Sequence, residues 1–196
     1  MPREDIFGIA LYSKLPIVQS DIRYIGDAEV PSIVAELETP EGRLTLIATH
    51  PVPPVGAEYS RLRNGQLERL AELVARTSPP VLALGDFNAT PWCPHFQRLL
   101  ARSGLRDSSP GRGILPTWPT YVPPLQIPLD HCLHKTGVGI VRKFRVPTWA
   151  RTITRWWSIS PSSWVRAPDH ELCRVLPSKH RVSRWESSLP SFFRRR

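Results

Sequence analysis

At 196 residues, the chain has room for one domain with a substantial core and a tail. A formal charge of +9 suggests nucleic acid or an anionic surface, yet residues 1–140 hold 13 Lys/Arg against 14 Asp/Glu, while residues 141–196 hold 13 against 3. The basic excess is confined to the end of the chain, which excludes a domain-wide nucleic-acid footprint. That same end carries Trp149, Trp156, Trp157, Trp164 and Trp185, five of the seven tryptophans. Cys93, Cys132 and Cys173 are odd in number and widely spaced, so neither a disulfide framework nor a structural zinc is expected. No apolar run approaches the ~18 residues of a membrane span. The charged Pro-Arg-Glu-Asp after Met1 is no secretory leader. No address follows from these features, and an anchor upstream of Met1 in a longer form stays open.

In chain order, Ile6 to Leu11 reads as a short strand broken at Ser13-Lys14-Leu15-Pro16. Ser32 to Glu38 and Leu44 to Thr49 alternate around Pro40-Glu41-Gly42, which predicts a β-hairpin. His50 stands where the second strand stops, and Pro51, Pro53 and Pro54 prevent its continuation. Arg61 to Arg76 predicts a helix whose inner stripe is Leu67, Leu70, Ala71 and Val74. Pro94 to Ala101 predicts a short helix facing inward with Phe96, Leu99 and Leu100. Gly111 to Pro128 reads as a long loop around Thr117-Trp118, and Ile127 to Leu133 and Val138 to Val141 as two further strands. Hairpins among strand–helix alternations indicate an α+β (mixed α/β) layered protein. After about Val146 the periodicity dissolves, which predicts an irregular tail over 147–196 behind a domain at 1–146.

The chain is organised around Val81-Leu82-Ala83-Leu84-Gly85-Asp86-Phe87-Asn88, a buried strand running into a polar loop. In extended backbone Asp86 and Asn88 point to one side and can share a target; alone, they also fit an Asx-turn capping a strand. Around them stand Gly8 to Lys14, Thr49-His50, Thr117-Trp118 and Pro128-Leu129-Asp130-His131.

This ordered series resembles the endonuclease/exonuclease/phosphatase (DNase I-like) family over roughly residues 6–146. The resemblance implies a four-layered sandwich of two sheets flanked by helices. It also implies hydrolysis of a phosphate ester by a water activated with Mg²⁺ or Mn²⁺. By resemblance, His50 donates a hydrogen bond to a phosphate oxygen, Asp86 orients or deprotonates the attacking water, and Asn88 holds the nucleophile or a phosphoryl oxygen. Asp86 and Asn88 are also the metal-side candidates, and Asp130 orients a partner histidine. His131 reads as structural, and Trp118 as loop packing or a wall of the substrate groove. The substrate class implied is a phosphoester: nucleic acid, phospholipid or a small phosphate ester.

The chain departs from the family pattern at both ends, so an incomplete sandwich is expected. The family's metal-binding glutamate belongs upstream of Gly8, and Glu4 and Asp5 lie too close to that strand to be it. The closing Ser-Asp-His followed by an apolar strand is also absent; Pro168-Asp169-His170 has the pair but not the strand. When Thr148 to Ser160 is reverse-translated and read two bases further on, it can spell Gly-Ser-Asp-His-Tyr-Pro-Leu-Val-Val-Asp. The expectation is therefore a shift of reading frame near Val146, with an Arg/Trp-rich tail as its product and impaired turnover as its consequence. The competing expectation is a non-enzymatic binder of nucleic acid or anionic surfaces working through that tail.

Overall fold

The computed structural model describes residues 7–110, 117–119, 123–145, 155–161 and 172–177, with backbone alone from residue 139 onward. Strands β1 (Ile9–Ser13), β2 (Ile17–Tyr24), β3 (Pro31–Thr39) and β4 (Gly42–Ala48) come first, followed by helix α1 (Gly56–Arg76). Strand β5 (Val81–Asp86), helix α2 (Pro94–Ser103) and the two-residue strand β6 (Arg106–Asp107) follow. Strands β7 (Asp130–His134), β8 (Val138–Arg145), β9 (Arg155–Pro161) and β10 (Leu172–Pro177) complete the described elements.

Two sheets result, one of order β2-β3-β4-β5-β7-β6 and one of order β1-β10-β9-β8. The hairpin lies where the alternation predicts it, with Ile33 opposite Ala48 and Thr39 opposite Gly42. Strand β5 runs parallel to β4 and antiparallel to β7, and is therefore central. Period two divides its side chains between two cores. Leu82 and Leu84 join Leu44, Leu46, Ala48, Cys132, Ile9 and Val138 between the sheets. Val81 and Ala83 join Ile47, Leu133 and the helices on the other face. A strand covered on both faces reads as a continuous apolar run, as β5 does.

Helix α1 buries Leu67, Leu70, Ala71 and Val74, the stripe the sequence predicts, together with Arg63 and Gln66. Each of those leucines contributes roughly 1.5–3 kcal/mol by leaving water. The helix begins at Gly56, five residues before the predicted start, because the Pro51–Pro54 segment releases the chain into helix immediately. Helix α2 opens with Pro94 at its first turn and stops at Gly104, whose φ of 73° is left-handed. These layers agree with the DNase I-like expectation of two sheets flanked by helices. Among the described residues both helices pack on the six-stranded sheet, giving three of the four layers.

Strands β2, β9 and β10 are absent from the sequence reading. Strand β2 is not predicted, because it is an edge strand exposed throughout and its sequence carries no buried-face alternation. The stretch after residue 146, expected to be irregular, contributes β9 and β10. They pair antiparallel with β8 and β1. Backbone pairing at open strand edges tolerates almost any sequence, so the absence of periodicity does not forbid it. Glu4, Asp5, Pro168-Asp169-His170 and the tail's tryptophan side chains, including those of the expected binding tail, lie outside the described residues.

Candidate active site

The strand ends build the site by simple continuation of period two. On β4 the inter-sheet face is Leu44, Leu46 and Ala48, so the next residue on that face is His50. On β5 it is Leu82 and Leu84, then Asp86; on β7 it is Cys132, preceded by Asp130. Asp86 and Asp130 are register partners across β5 and β7, so their side chains stand next to each other. Both are buried, at 8% and 5% exposure. Like charges at such a pair repel, which makes the spot favourable for a cationic partner.

His50 lies close enough to Asp130 to feel its charge. Burial holds its imidazole below the ordinary 6.5, while the charge of Asp130 acts in the opposite direction. The net direction leaves it neutral at pH 7, with one N–H to donate. Its ring meets Phe7 at a centroid distance of 5.9 Å. The strand end bearing it is locked to β5, with Thr49 N–H donating to Leu84 O at 3.0 Å. The Thr49 and Ser32 hydroxyls also meet at 2.8 Å. Gly85 makes this contact possible, since a Cβ there would stand 1.8 Å from Thr49 O.

The loop after β5 turns sharply. Asn88 has φ 47°, and its N–H donates to Asp86 Oδ1 at 2.8 Å, an Asx-turn. The extended-backbone argument for Asp86 and Asn88 therefore does not hold, because the left-handed residue redirects the carboxamide. That carboxamide donates to Pro51 O at 2.8 Å, which brings Asn88 back beside the His50 loop by another route. Phe87 is buried, and its N–H donates to Leu129 O at 2.9 Å. The structure thus gathers His50, Asp86, Asn88 and Asp130 at one end of the inter-sheet crevice.

Around them, Thr117 Oγ1 accepts from Leu129 N–H at 3.1 Å, tying its loop to the Asp130 strand, and Trp118 is exposed. His131, read as structural, faces the helix side with Leu133. It packs between Phe87 and Phe96, donates to Ala89 O at 2.8 Å, and sets Nδ1 3.6 Å from Asp107 Oδ2. Arg63 and Gln66 went unnoticed in the sequence. Arg63 donates to Asn88 O at 2.7 Å, and Gln66 accepts from Val52 N–H at 3.2 Å. Their place on the inner stripe, four and one residues before Leu67, is the signal that would have found them.

The metal is a separate matter. Among the described residues no three His, Cys, Asp or Glu side chains converge as a metal cage. Asp86 and Asn88, the metal-side candidates, are also engaged by the Asx-turn and by Pro51. The described donor set does not compose a complete Mg²⁺ or Mn²⁺ site.

The sequence matches the model of the Endonuclease/Exonuclease/phosphatase family over residues 2–162. No curated protein matches it. Among solved structures, a humanized D. rerio TDP2 with 14 mutations is 12% identical over 86% of this chain and 76% of that one, with TM-score 0.54. An endonuclease/exonuclease/phosphatase from Beutenbergia cavernae is 19% identical over 83% and 45%, with TM-score 0.51. A double mutant of the Staphylococcus aureus beta toxin with bound magnesium ions is 14% identical over 83% and 65%, with TM-score 0.46. The chain spans 52% to 66% of the length of three further structures that it resembles. Identities this low speak for the fold, and the fold agrees with the family match, which covers most of the chain. The chain belongs to the Endonuclease/Exonuclease/phosphatase family.

Proposed function

We propose that the His50–Asp86–Asn88–Asp130 constellation hydrolyses a phosphate ester. The observation that carries the reading is the convergence of three separate strand ends, with Asp86 opposite Asp130 and Asn88 bonded to Pro51 beside His50. In this arrangement the neutral imidazole of His50 donates to a phosphoryl oxygen. Asp86 takes the proton of a water whose oxygen attacks phosphorus as the ester P–O bond breaks, and the departing alkoxide takes a proton from solvent. Asn88 holds the loop and the water in register, and Asp130 orients His50 electrostatically. Dependence on Mg²⁺ or Mn²⁺ is part of the proposal on family grounds, and the ion would supply charge neutralisation at the phosphate.

The proposal includes low turnover and a frame change near Val146 as its cause. Support comes from the charge break after residue 140 and the Gly-Ser-Asp-His string of the shifted frame. Coding DNA whose codons at Arg151 to Ile153 forbid Asp-His would remove this part.

The experiment is hydrolysis of bis-p-nitrophenyl phosphate and p-nitrophenyl phosphate by the full chain, with and without Mg²⁺ or Mn²⁺. Slow release is expected, lowered about 10²–10⁴-fold in His50→Ala and Asp86→Ala. Inorganic phosphate is expected to shift the His50 ring resonances. No substitution-sensitive release together with no shift would overturn the reading.

A further inference from the structure

Two consecutive carbonyls of the Asp86–Ala89 loop are gripped by buried side chains from different elements. Arg63 of α1 donates from Nη1 to Asn88 O at 2.7 Å, and His131 of β7 donates from Nε2 to Ala89 O at 2.8 Å. Arg63 is 7% exposed and His131 1%. Burying a guanidinium between a helix and a core is costly, and an apolar side chain would pack there at lower cost. A residue that carries this cost and spends its fork on one backbone oxygen is placed for the oxygen. The oxygen belongs to Asn88, the residue at φ 47° whose turn aims the loop.

The second grip is built to the same end. Period two on β7 sends Asp130 to the inter-sheet crevice and His131 to the opposite face, directly beneath the loop. There Asp107 Oδ2 stands 3.6 Å from Nδ1. Phe96 at 4.2 Å and Phe87 at 5.7 Å between ring centroids pack against the imidazole. Gln66, one turn from Arg63, holds the His50 loop from the other polarity, its Oε1 accepting from Val52 N–H at 3.2 Å. Loop position is thereby set by helix α1 and by strand β7, which are rigid.

We propose that Arg63 and the Asp107–His131 couple are positioning residues. They hold the Asn88 and Ala89 carbonyls so that the left-handed turn stays closed and Asp86 stays opposite Asp130. The role of these residues in turnover rests on the phosphoesterase reading above; their hold on the loop does not.

The test uses the full chain with Arg63→Met, Arg63→Lys and His131→Phe, and reads amide exchange at Asn88 alongside kcat and KM on a phosphodiester. Arg63→Met and His131→Phe are expected to speed Asn88 exchange about tenfold or more while Leu82 and Leu84 stay protected. They are expected to lower kcat by about ten- to a hundredfold, with KM within about threefold. Arg63→Lys keeps a charge and a donor and is expected to hold Asn88 exchange within about threefold of the parent. If Arg63→Met does not fold, Arg63→Lys and His131→Phe decide by the same exchange criteria. Unchanged loop exchange overturns the proposal, as does an equal rise at Leu82 and Leu84 or parental kcat in Arg63→Met. A parent chain with neither turnover nor a phosphate-induced shift of the His50 resonances overturns the phosphoesterase reading, and the exchange measurement still decides the positioning role.

Discussion

The carboxamide of Asn88 donates to the carbonyl oxygen of Pro51 at 2.8 Å, joining the loop after β5 to the loop after β4. The two loops come from parallel neighbouring strands, so this single bond closes the mouth between His50 and Asp86. Asn suits the position twice over, since it tolerates the left-handed φ of 47° and its side chain supplies the donor.

Those two contributions separate by mutation. Asn88→Gly keeps the backbone freedom and loses the bond, for an expected cost of about 1 kcal/mol. Asn88→Ala loses both, for an expected cost of about 2–3 kcal/mol. Urea unfolding checks the order; Asn88→Ala as stable as Asn88→Gly would contradict the left-handed argument.

Gly85 has φ 146°, and a Cβ there would stand 1.8 Å from a backbone oxygen rather than a movable side chain. Gly85→Ala is therefore expected to destabilise by at least ~2 kcal/mol and to displace Thr49 and His50. A thermal melt within a degree or two of the parent would show that the strands separate freely there.

His50 is expected to titrate below its ordinary 6.5, since burial outweighs the attraction of Asp130. Between 6.5 and that lower midpoint the unfolded chain binds a proton the folded chain does not. Stability is therefore lost as pH falls through this window. Asp130→Asn removes the influence that raises the midpoint, so the midpoint should fall further. Ring resonances followed by NMR give the answer, and a rise in Asp130→Asn would refute the assignment.

Asp107 responds to three influences. Burial is the largest and pushes its carboxyl up, but the His131 ring beside it and the Ser109 amide, whose N–H donates at 2.9 Å, bring it below the ordinary 3.8. A depressed carboxyl stabilises the fold above 3.8, and this contribution is lost as pH falls through the lower folded value. Asp107→Asn should flatten the acid limb of the stability curve between those points. Identical acid limbs in the two proteins would count against the His131–Asp107 contact.

What the sequence determined by itself was whatever repeats with a local period or sits at a fixed offset. The β3–β4 hairpin, the inner stripe of α1 and the double-sided burial of β5 follow from alternation and from 3.6-residue spacing, which neighbours along the chain set. The ordered strand-end motifs likewise identified the family without any coordinates. Strand β2 escaped because exposure on both faces leaves no period, and β9 and β10 because backbone pairing needs none.

Only the tertiary structure decided which strands adjoin, and with that the pairing of Asp86 with Asp130 and the close approach of Gly85 to Thr49. It also decided that Asn88 turns left-handed, against the extended geometry its neighbours suggest, because Pro51 and Arg63 both bind it there. The burial of His131 between Phe87 and Phe96 has the same origin. Each partner is supplied by a different element, and contacts between residues far apart in the chain leave no periodic trace in the sequence.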